Sequence, residues 1–359
     1  MENAPILGKS KLVPCVQELA KSCPNKIPQR YIQSHDLYND QDHCDAHDLQ
    51  LQIPIINMEA LICGDGVELE KLHSTCQEWG FFQLINHEVS SSLIEKFKLE
   101  TKEFFDLPLE EKKRYWQTPT DFEGFGQAFV LSDEQKLDWA DMFFLTMLPK
   151  HLRKSHLFPN LPLPYRDTLE KYSTEMKTLA TKMLGYMAKA LKISDENVFG
   201  EGHQSIRMNY YPPCPLPEKA IGLTSHTDET VLITILLQIS QVEGLQILKD
   251  NRWVPVKPQP DAFIVNIGDV LELMTNGMYR SVTHRAVVNA EKERISVATF
   301  HSPALDVEVG PIPKLLNNNN NPPRFTRISM LDYWNMFLDR PLHHHAKKCL
   351  DFLTIHHTT

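Results

Sequence analysis

The chain has 359 residues, of which 42% are apolar and 23% charged, and carries a formal net charge of −9. That balance is ordinary for a globular protein, and no dense Lys/Arg stripe offsets the acidic excess, which argues against a nucleic-acid partner. The opening stretch MENAPILGKSKLVPC has no apolar signal core, and no window approaches the roughly 18 consecutive apolar residues of a membrane span. A soluble, cytoplasmic protein with no membrane partner is expected.

Residues 1–50 form a polar, proline-punctuated extension with a helix-like VQELAKS. The Asp/His-rich SHDLYNDQDHCDAHD within it reads as a solvated linker rather than a metal site. In the region 51–200, IPIINM reads as a first strand, GVELEKLHSTCQEWG as a helix and FFQLINH as a second strand. SSSLIEKFKLETKEFFDLP has the pattern of a helix capped by serines, and LEEKKRYW that of a charged surface turn. Tyr165 to Leu191 has the period of a long amphipathic helix. The seven cysteines are odd in number, scattered, and form no C-x-x-C, so they read as free thiols, several of them buried.

From about residue 204 the period shortens. SIRMNYY, TVLITILLQ, GLQILKD, RWVPVKP, AFIVNIGD, YRSVTHRAVVN and RISVATFHSP are short β-rich runs separated by Gly, Pro and Asn. They predict a compact all-β sandwich or jelly roll over 201–305. The tail, 306–359, holds LLNNNNNPPRF, a mobile polar loop, and SMLDYWNMFLDRP, a last helix; HHH at 343–345 reads as a solvated surface patch.

Chemistry concentrates in GLTSHTDETVLITILLQ. In a strand, residues two apart point the same way, so His226 and Asp228 aim an imidazole and a carboxylate at one point. His284, in RSVTHRAVVN, is the candidate third ligand. Two histidines and one carboxylate leave three metal positions open, the arrangement suited to non-haem Fe(II). A hydrogen-bonded His–Asp pair at a strand end is the plain alternative. Ten residues beyond His284, Arg294 and Ser296 share a strand face. A buried arginine is costly unless it meets an anion, and its planar fork suits a carboxylate. Tyr211 and Asn209, in MNYYPPCP, alternate on a further face that could reach the same anion. Otherwise Arg294 pairs with an internal Asp or Glu and Tyr211 is core.

Taken together, EWGFFQLINH, FFDLPLEEKKRY, RMNYYPPCP, GLTSHTD, GLQILKDNRWVPVKP, NIGDVLELMTNGMYRSVTHRAVVN and ERISVATFHSP resemble the plant 2-oxoglutarate- and Fe(II)-dependent dioxygenases over nearly the whole chain. LPKHLRKSHLFPNLPLPYRDTLEKYSTEMK and VEGLQILKD are similar to the subgroup containing the morphinan alkaloid O-demethylases. The resemblance implies a mixed α and β fold. Its core would be a distorted double-stranded β-helix (jelly roll), with an N-terminal helical layer and a C-terminal helix.

For the site, the resemblance implies His226, Asp228 and His284 as iron ligands. Arg294 and Ser296, assisted by Tyr211 and Asn209, would hold the distal carboxylate of the cosubstrate 2-oxoglutarate. It also implies an O2-using monomer, supported by ascorbate, that hydroxylates or O-demethylates a small aromatic or alkaloid specialised metabolite and releases succinate and CO2. A non-catalytic small-molecule binder, or a 2-oxoglutarate-independent enzyme on the same scaffold, remain the alternatives.

Two departures from the family pattern stand out. Glu88 replaces a glycine of a tight turn. The stretch between Asp228 and LLQ is one residue longer, which predicts a bulge that brings Glu229 and Thr230 to the substrate mouth. Phe129, Met142, Phe144, Phe300, Trp334 and Phe337 are the candidate walls of an aromatic pocket.

Overall fold

The β-branched runs of the C-terminal half pair into two sheets, and strands from the N-terminal half extend the larger one. The computed structural model describes residues 8, 10–33, 51–158, 161–162, 164–195, 197–317, 320–339 and 348–355. In chain order the elements are α1 (Val16–Ser22), β1 (Ile55–Asn57), α2 (Met58–Ile62), α3 (Gly66–Glu78), β2 (Phe81–Ile85), α4 (Ser91–Asp106), α5 (Leu109–Lys112), β3 (Gly124–Gly126), β4 (Asp141–Leu148) and α6 (Tyr165–Ala190). They continue with β5 (Glu201–Tyr211), β6 (Ile221–His226), β7 (Ile233–Gln238), β8 (Leu245–Lys249), β9 (Arg252–Pro255), β10 (Phe263–Ile267), α7 (Asp269–Met274), β11 (His284–Val287), β12 (Arg294–Pro303), β13 (Glu308–Val309), β14 (Ile328–Ser329), α8 (Met330–Asp339) and α9 (Cys349–Phe352). Among these residues no helix is long and apolar enough to cross a membrane.

The larger sheet runs β1-β2-β10-β7-β12-β5-β4-β3 and the smaller β6-β11-β8-β9. Side chains alternate between the faces of a strand, so each strand of the larger sheet serves two environments. One face presents Phe82, Phe143, Met208, Ile235, Val265 and Val297 to α4 and α6, where Phe97 and Tyr172 stack at 4.0 Å. The other face turns Phe81, Ile264 and Leu236 toward Leu245, Ile247 and Val254 of the smaller sheet. Burying both faces explains why β7 and β10 read as near-continuous apolar runs. The polar residues that interrupt those runs lie on the inward face and make the site.

Several local expectations are corrected. β3 and β4, unforeseen in the sequence, add two strands to the edge of the larger sheet. The Ser90 side chain at the N-cap of α4 accepts no capping hydrogen bond; its hydroxyl meets that of Ser92 instead, at 2.8 Å. LEEKKRYW is not wholly a surface turn, because Lys112 is fully buried and donates to Gln17 Oε1 and, at 2.8 Å, to Phe105 O. At the ends of the asparagine loop, Asn317 pairs with Asn321, and Asn276 Nδ2 donates to Asn321 Oδ1 at 2.9 Å; residues 318 and 319 lie outside the described residues. Glu88 does adopt the left-handed conformation a glycine would take, with φ +63°, and pairs with Lys182 at 2.8 Å. The residues of SHDLYNDQDHCDAHD and of HHH lie outside the described residues.

Candidate active site

The smaller sheet brings the two histidines together. His226 ends β6, His284 begins β11, and the two are direct cross-strand partners with ring centroids 4.3 Å apart. Asp228 lies just past the strand end, in the turn before β7, yet its Oδ1 is 3.8 Å from His226 Nε2 and 3.7 Å from His284 Nε2. One ligand atom from each of the three residues can be chosen so that all lie within 4.8 Å of one another.

The orientation of each group fits a divalent metal. His226 Nδ1 is 2.8 Å from Thr224 O, and His284 Nδ1 is 3.1 Å from Val282 O. A carbonyl only accepts, so Nδ1 carries the proton and Nε2 turns a lone pair inward. Burial, and then the neighbouring His284, lower the pKa of His226 and keep its imidazole neutral. Burial alone would raise the Asp228 carboxyl, but the two histidines and hydrogen bonds from Thr234 and Asn266 outweigh it and hold the group ionised. Neutral imidazoles and an ionised carboxylate are the forms that ligate a metal.

A second polar group occupies the other end of the same strand face. Arg294 pairs with Tyr211 across β12 and β5, and Ser296 with Asn209, so the four side chains form adjacent rungs. The Arg294 guanidinium is 5.1 Å from the Tyr211 ring centre, donates to Gln238 Oε1 at 3.2 Å, and is 3% exposed. Its Nε has no partner, and no carboxylate among the described residues reaches it, which removes the reading of Arg294 as half of an internal ion pair. Asn209 Oδ1 is likewise buried and unpartnered. Two glycines make the space: a Cβ at Gly244 would sit 2.7 Å from Arg294 Cδ, and one at Gly222 would sit 2.7 Å from Tyr211 Cδ1. Thr234 at one end of β7 bonds Asp228 and Gln238 at the other bonds Arg294, so about 13 Å of strand separates the two centres.

The aromatic candidates form a chain of ring contacts. Phe300 lies 6.5 Å from Phe144, Phe129 is 5.5 Å from Phe337, and Phe337 is 6.4 Å from Trp334. Phe122, which the sequence did not single out, joins the halves at 4.6 Å from Phe129 and 5.3 Å from Phe144. Phe300 is also the cross-strand partner of Thr234, which ties this wall to Asp228. Met142 is buried opposite Asn209. Arg207, another residue missed, sits between Phe144 and Ala298 on the rung beyond Asn209, and its Nε has no partner. Its signal was the alternation Arg207, Asn209, Tyr211.

The bulge expected after Asp228 is absent. β7 pairs in unbroken register with both β10 and β12, because the extra residue is taken up by the turn before β7. Glu229 and Thr230 in that turn are both buried, and Glu229 Oε2 accepts the Cys349 N–H at the start of α9 at 2.8 Å.

Residues 202–303 match the 2OG-Fe(II) oxygenase superfamily, and residues 53–162 match the N-terminal family of the non-haem dioxygenase in morphine synthesis. The chain is 48% identical to codeine O-demethylase of Papaver somniferum over 355 residues, covering 97% of each. It is also 48% identical to oxoglutarate-dependent flavonoid 7-O-demethylase 1 of Ocimum basilicum, over 99% of this chain and 94% of that one. The crystal structure of JOX2 in complex with 2OG, Fe and JA matches with a TM-score of 0.84 at 34% identity, covering 96% of this chain and 98% of that one. The chain therefore belongs to the 2-oxoglutarate- and Fe(II)-dependent dioxygenases, enzymes built on a jelly-roll core.

Proposed function

We propose that His226, Asp228 and His284 hold the iron, that Arg294, Ser296, Tyr211 and Asn209 receive the distal carboxylate of 2-oxoglutarate, and that the substrate is a small aromatic specialised metabolite that is hydroxylated or O-demethylated. The observation that carries this reading is the buried guanidinium of Arg294, which meets no carboxylate among the described residues and leaves its Nε without a partner, on the same inward face as Thr234, whose hydroxyl bonds the Asp228 carboxylate. A buried cation without an anion is a costly arrangement, and a dicarboxylate spanning the two centres relieves it. Iron(II) bound at the triad supplies the redox chemistry by which O2 oxidises both 2-oxoglutarate, to succinate and CO2, and a substrate C–H bond.

The chain's own residues bind and orient. Arg294 and Tyr211 fix one end of the cosubstrate. The Nε2 atoms of His226 and His284 and Oδ1 of Asp228 would hold the metal, and three protein ligands would leave positions open for cosubstrate and O2. The rings of Phe144, Phe300, Phe129 and Phe337 exclude water and align a flat substrate. Hydroxylation at a methoxy carbon gives a hemiacetal, which collapses to the free hydroxyl and formaldehyde. Similarity to O-demethylases of an alkaloid and of flavonoids supports both substrate classes. A cytoplasmic monomer, its iron kept reduced by ascorbate, completes the proposal. The division into an extension (1–50), a helical and strand region (51–200), the jelly-roll core (201–305) and a tail (306–359) is proposed on the same footing.

The test is incubation with Fe(II), ascorbate, 2-oxoglutarate and a panel of methoxylated flavonoids and alkaloids. The expected product has lost a methylene or gained one oxygen atom, with succinate formed alongside. Product formed at full rate without 2-oxoglutarate would favour the cosubstrate-independent alternative.

A further inference from the structure

Asp228 lies outside any strand, so something other than its own backbone ladder must fix its carboxylate. Its Oδ2 accepts from Thr234 Oγ1 at 2.5 Å and from Asn266 Nδ2 at 2.7 Å. The two donors come from different strands of the larger sheet and are direct partners in the β7–β10 register. All three side chains are buried, with Asp228 at 7%, Thr234 at 3% and Asn266 at 3% exposure. Thr234 interrupts the apolar run VLITILLQ, and Asn266 interrupts FIVNIGD. A hydroxyl and an amide at such core positions cost stability unless each finds a partner, and here both find the same oxygen. The other cross-strand neighbour of Asn266, Phe81, packs edge-on against the His284 ring at 5.2 Å.

We infer that Thr234 and Asn266 are positioning residues for the metal site: as a donor pair set by sheet register, they occupy Oδ2 and leave Oδ1 alone to face the metal. The inference rests on the ligand assignment above. With Oδ2 engaged by two donors, the carboxylate ligates through one oxygen and leaves the remaining positions for cosubstrate and O2. Losing either donor frees Oδ2 to turn toward the metal. The larger sheet thus orders a ligand that the smaller sheet and its following turn present.

The experiment is anaerobic calorimetric titration of the full-length, metal-free protein with Mn(II) and with Co(II), together with the visible spectrum of the Co(II) form. Loss of an outer partner of a metal ligand typically costs roughly ten- to a hundredfold in affinity. Asn266→Ala and Thr234→Val are each expected to show that loss and to change the Co(II) band shape as the carboxylate turns bidentate. Thr234→Ser keeps the hydroxyl and is expected to restore both affinity and spectrum, which a merely packing role of Thr234 would not produce. Wild-type affinity and spectrum in both Asn266→Ala and Thr234→Val, with Asp228→Ala unable to bind, would overturn this inference alone. Failure of the unsubstituted protein to bind either metal would overturn the ligand assignment itself. If Asn266→Ala does not fold, the Val and Ser variants at position 234 still decide between the two outcomes.

Discussion

Arg294 and Tyr211 face each other across the β5–β12 ladder, with the guanidinium 5.1 Å from the phenol ring centre and its Nε left without a partner. Lys at 294 keeps the charge but loses the planar fork. Charge-assisted hydrogen bonds contribute about 1.5–3 kcal/mol, so Arg294→Lys is expected to raise the 2-oxoglutarate KM by roughly ten- to a hundredfold. Metal affinity, measured separately, should not change. Gly244→Ala pushes a methyl against Arg294 Cδ and should move the same KM in the same direction. A normal KM with a lowered melting temperature in Arg294→Lys would mark Arg294 as a structural residue.

His226→Ala, Asp228→Ala and His284→Ala are each expected to abolish turnover and stoichiometric iron while the chain stays folded. Circular dichroism and metal analysis on the same preparations check this. Three protein ligands make an open site, so a chelator should remove iron and activity reversibly.

Asp141 ties the N-terminal segment to β4. Its carboxylate is buried and accepts from the N–H of Val16 at 2.9 Å, the N–H of Gln17 at 2.8 Å and the Cys15 thiol at 3.2 Å. Asp141→Ala would leave those donors unpaired and strip the nearby buried Lys112 of its counter-charge. A loss of about 2–4 kcal/mol is expected from urea unfolding followed by tryptophan fluorescence. Trp139 is a suitable reporter, because it packs edge-on against Tyr31 at 5.2 Å beside this junction.

His203 gives a pH dependence with a definite sign. Burial lowers its imidazole from 6.5 to about 4. Between those values the unfolded chain binds a proton that the native chain does not, so stability falls as pH falls through the window. The group accounts for roughly 3 kcal/mol across it. His203→Gln should flatten the decline of melting temperature between pH 6.5 and 4 relative to the unsubstituted protein. An unchanged slope would show that other groups carry the acid sensitivity.

Much of this architecture is legible in the residues. Alternation places Arg294 with Ser296, because a strand repeats every two residues and little can disturb that period, and it predicts the same for His226 with Asp228. Asp228 nonetheless lies beyond the end of β6, so its convergence with His226 comes from the turn rather than from strand geometry. Long-range pairings are what local pattern hides. β4 reads as part of an irregular region until β5 supplies its partner, and Lys112 reads as surface until Gln17 and the Phe105 carbonyl reach it. The extra residue after Asp228 predicts a bulge because a one-residue slip turns a strand's core face outward, but a turn absorbs an insertion at less cost than a ladder does. Thr234 and Asn266, which sequence reasoning missed, break the apolar pattern of their strands, and the fold brings both donors to one oxygen.

The most direct test of the metal and cosubstrate assignment is an anaerobic titration of the metal-free protein with Fe(II) and then 2-oxoglutarate, followed by the visible charge-transfer absorption that chelation of a 2-oxo acid to Fe(II) produces. The unsubstituted protein is predicted to develop the band with one equivalent of each, Arg294→Lys to need roughly ten- to a hundredfold more 2-oxoglutarate, and Asp228→Ala to show no band. A band of normal intensity and affinity in Asp228→Ala would contradict the account.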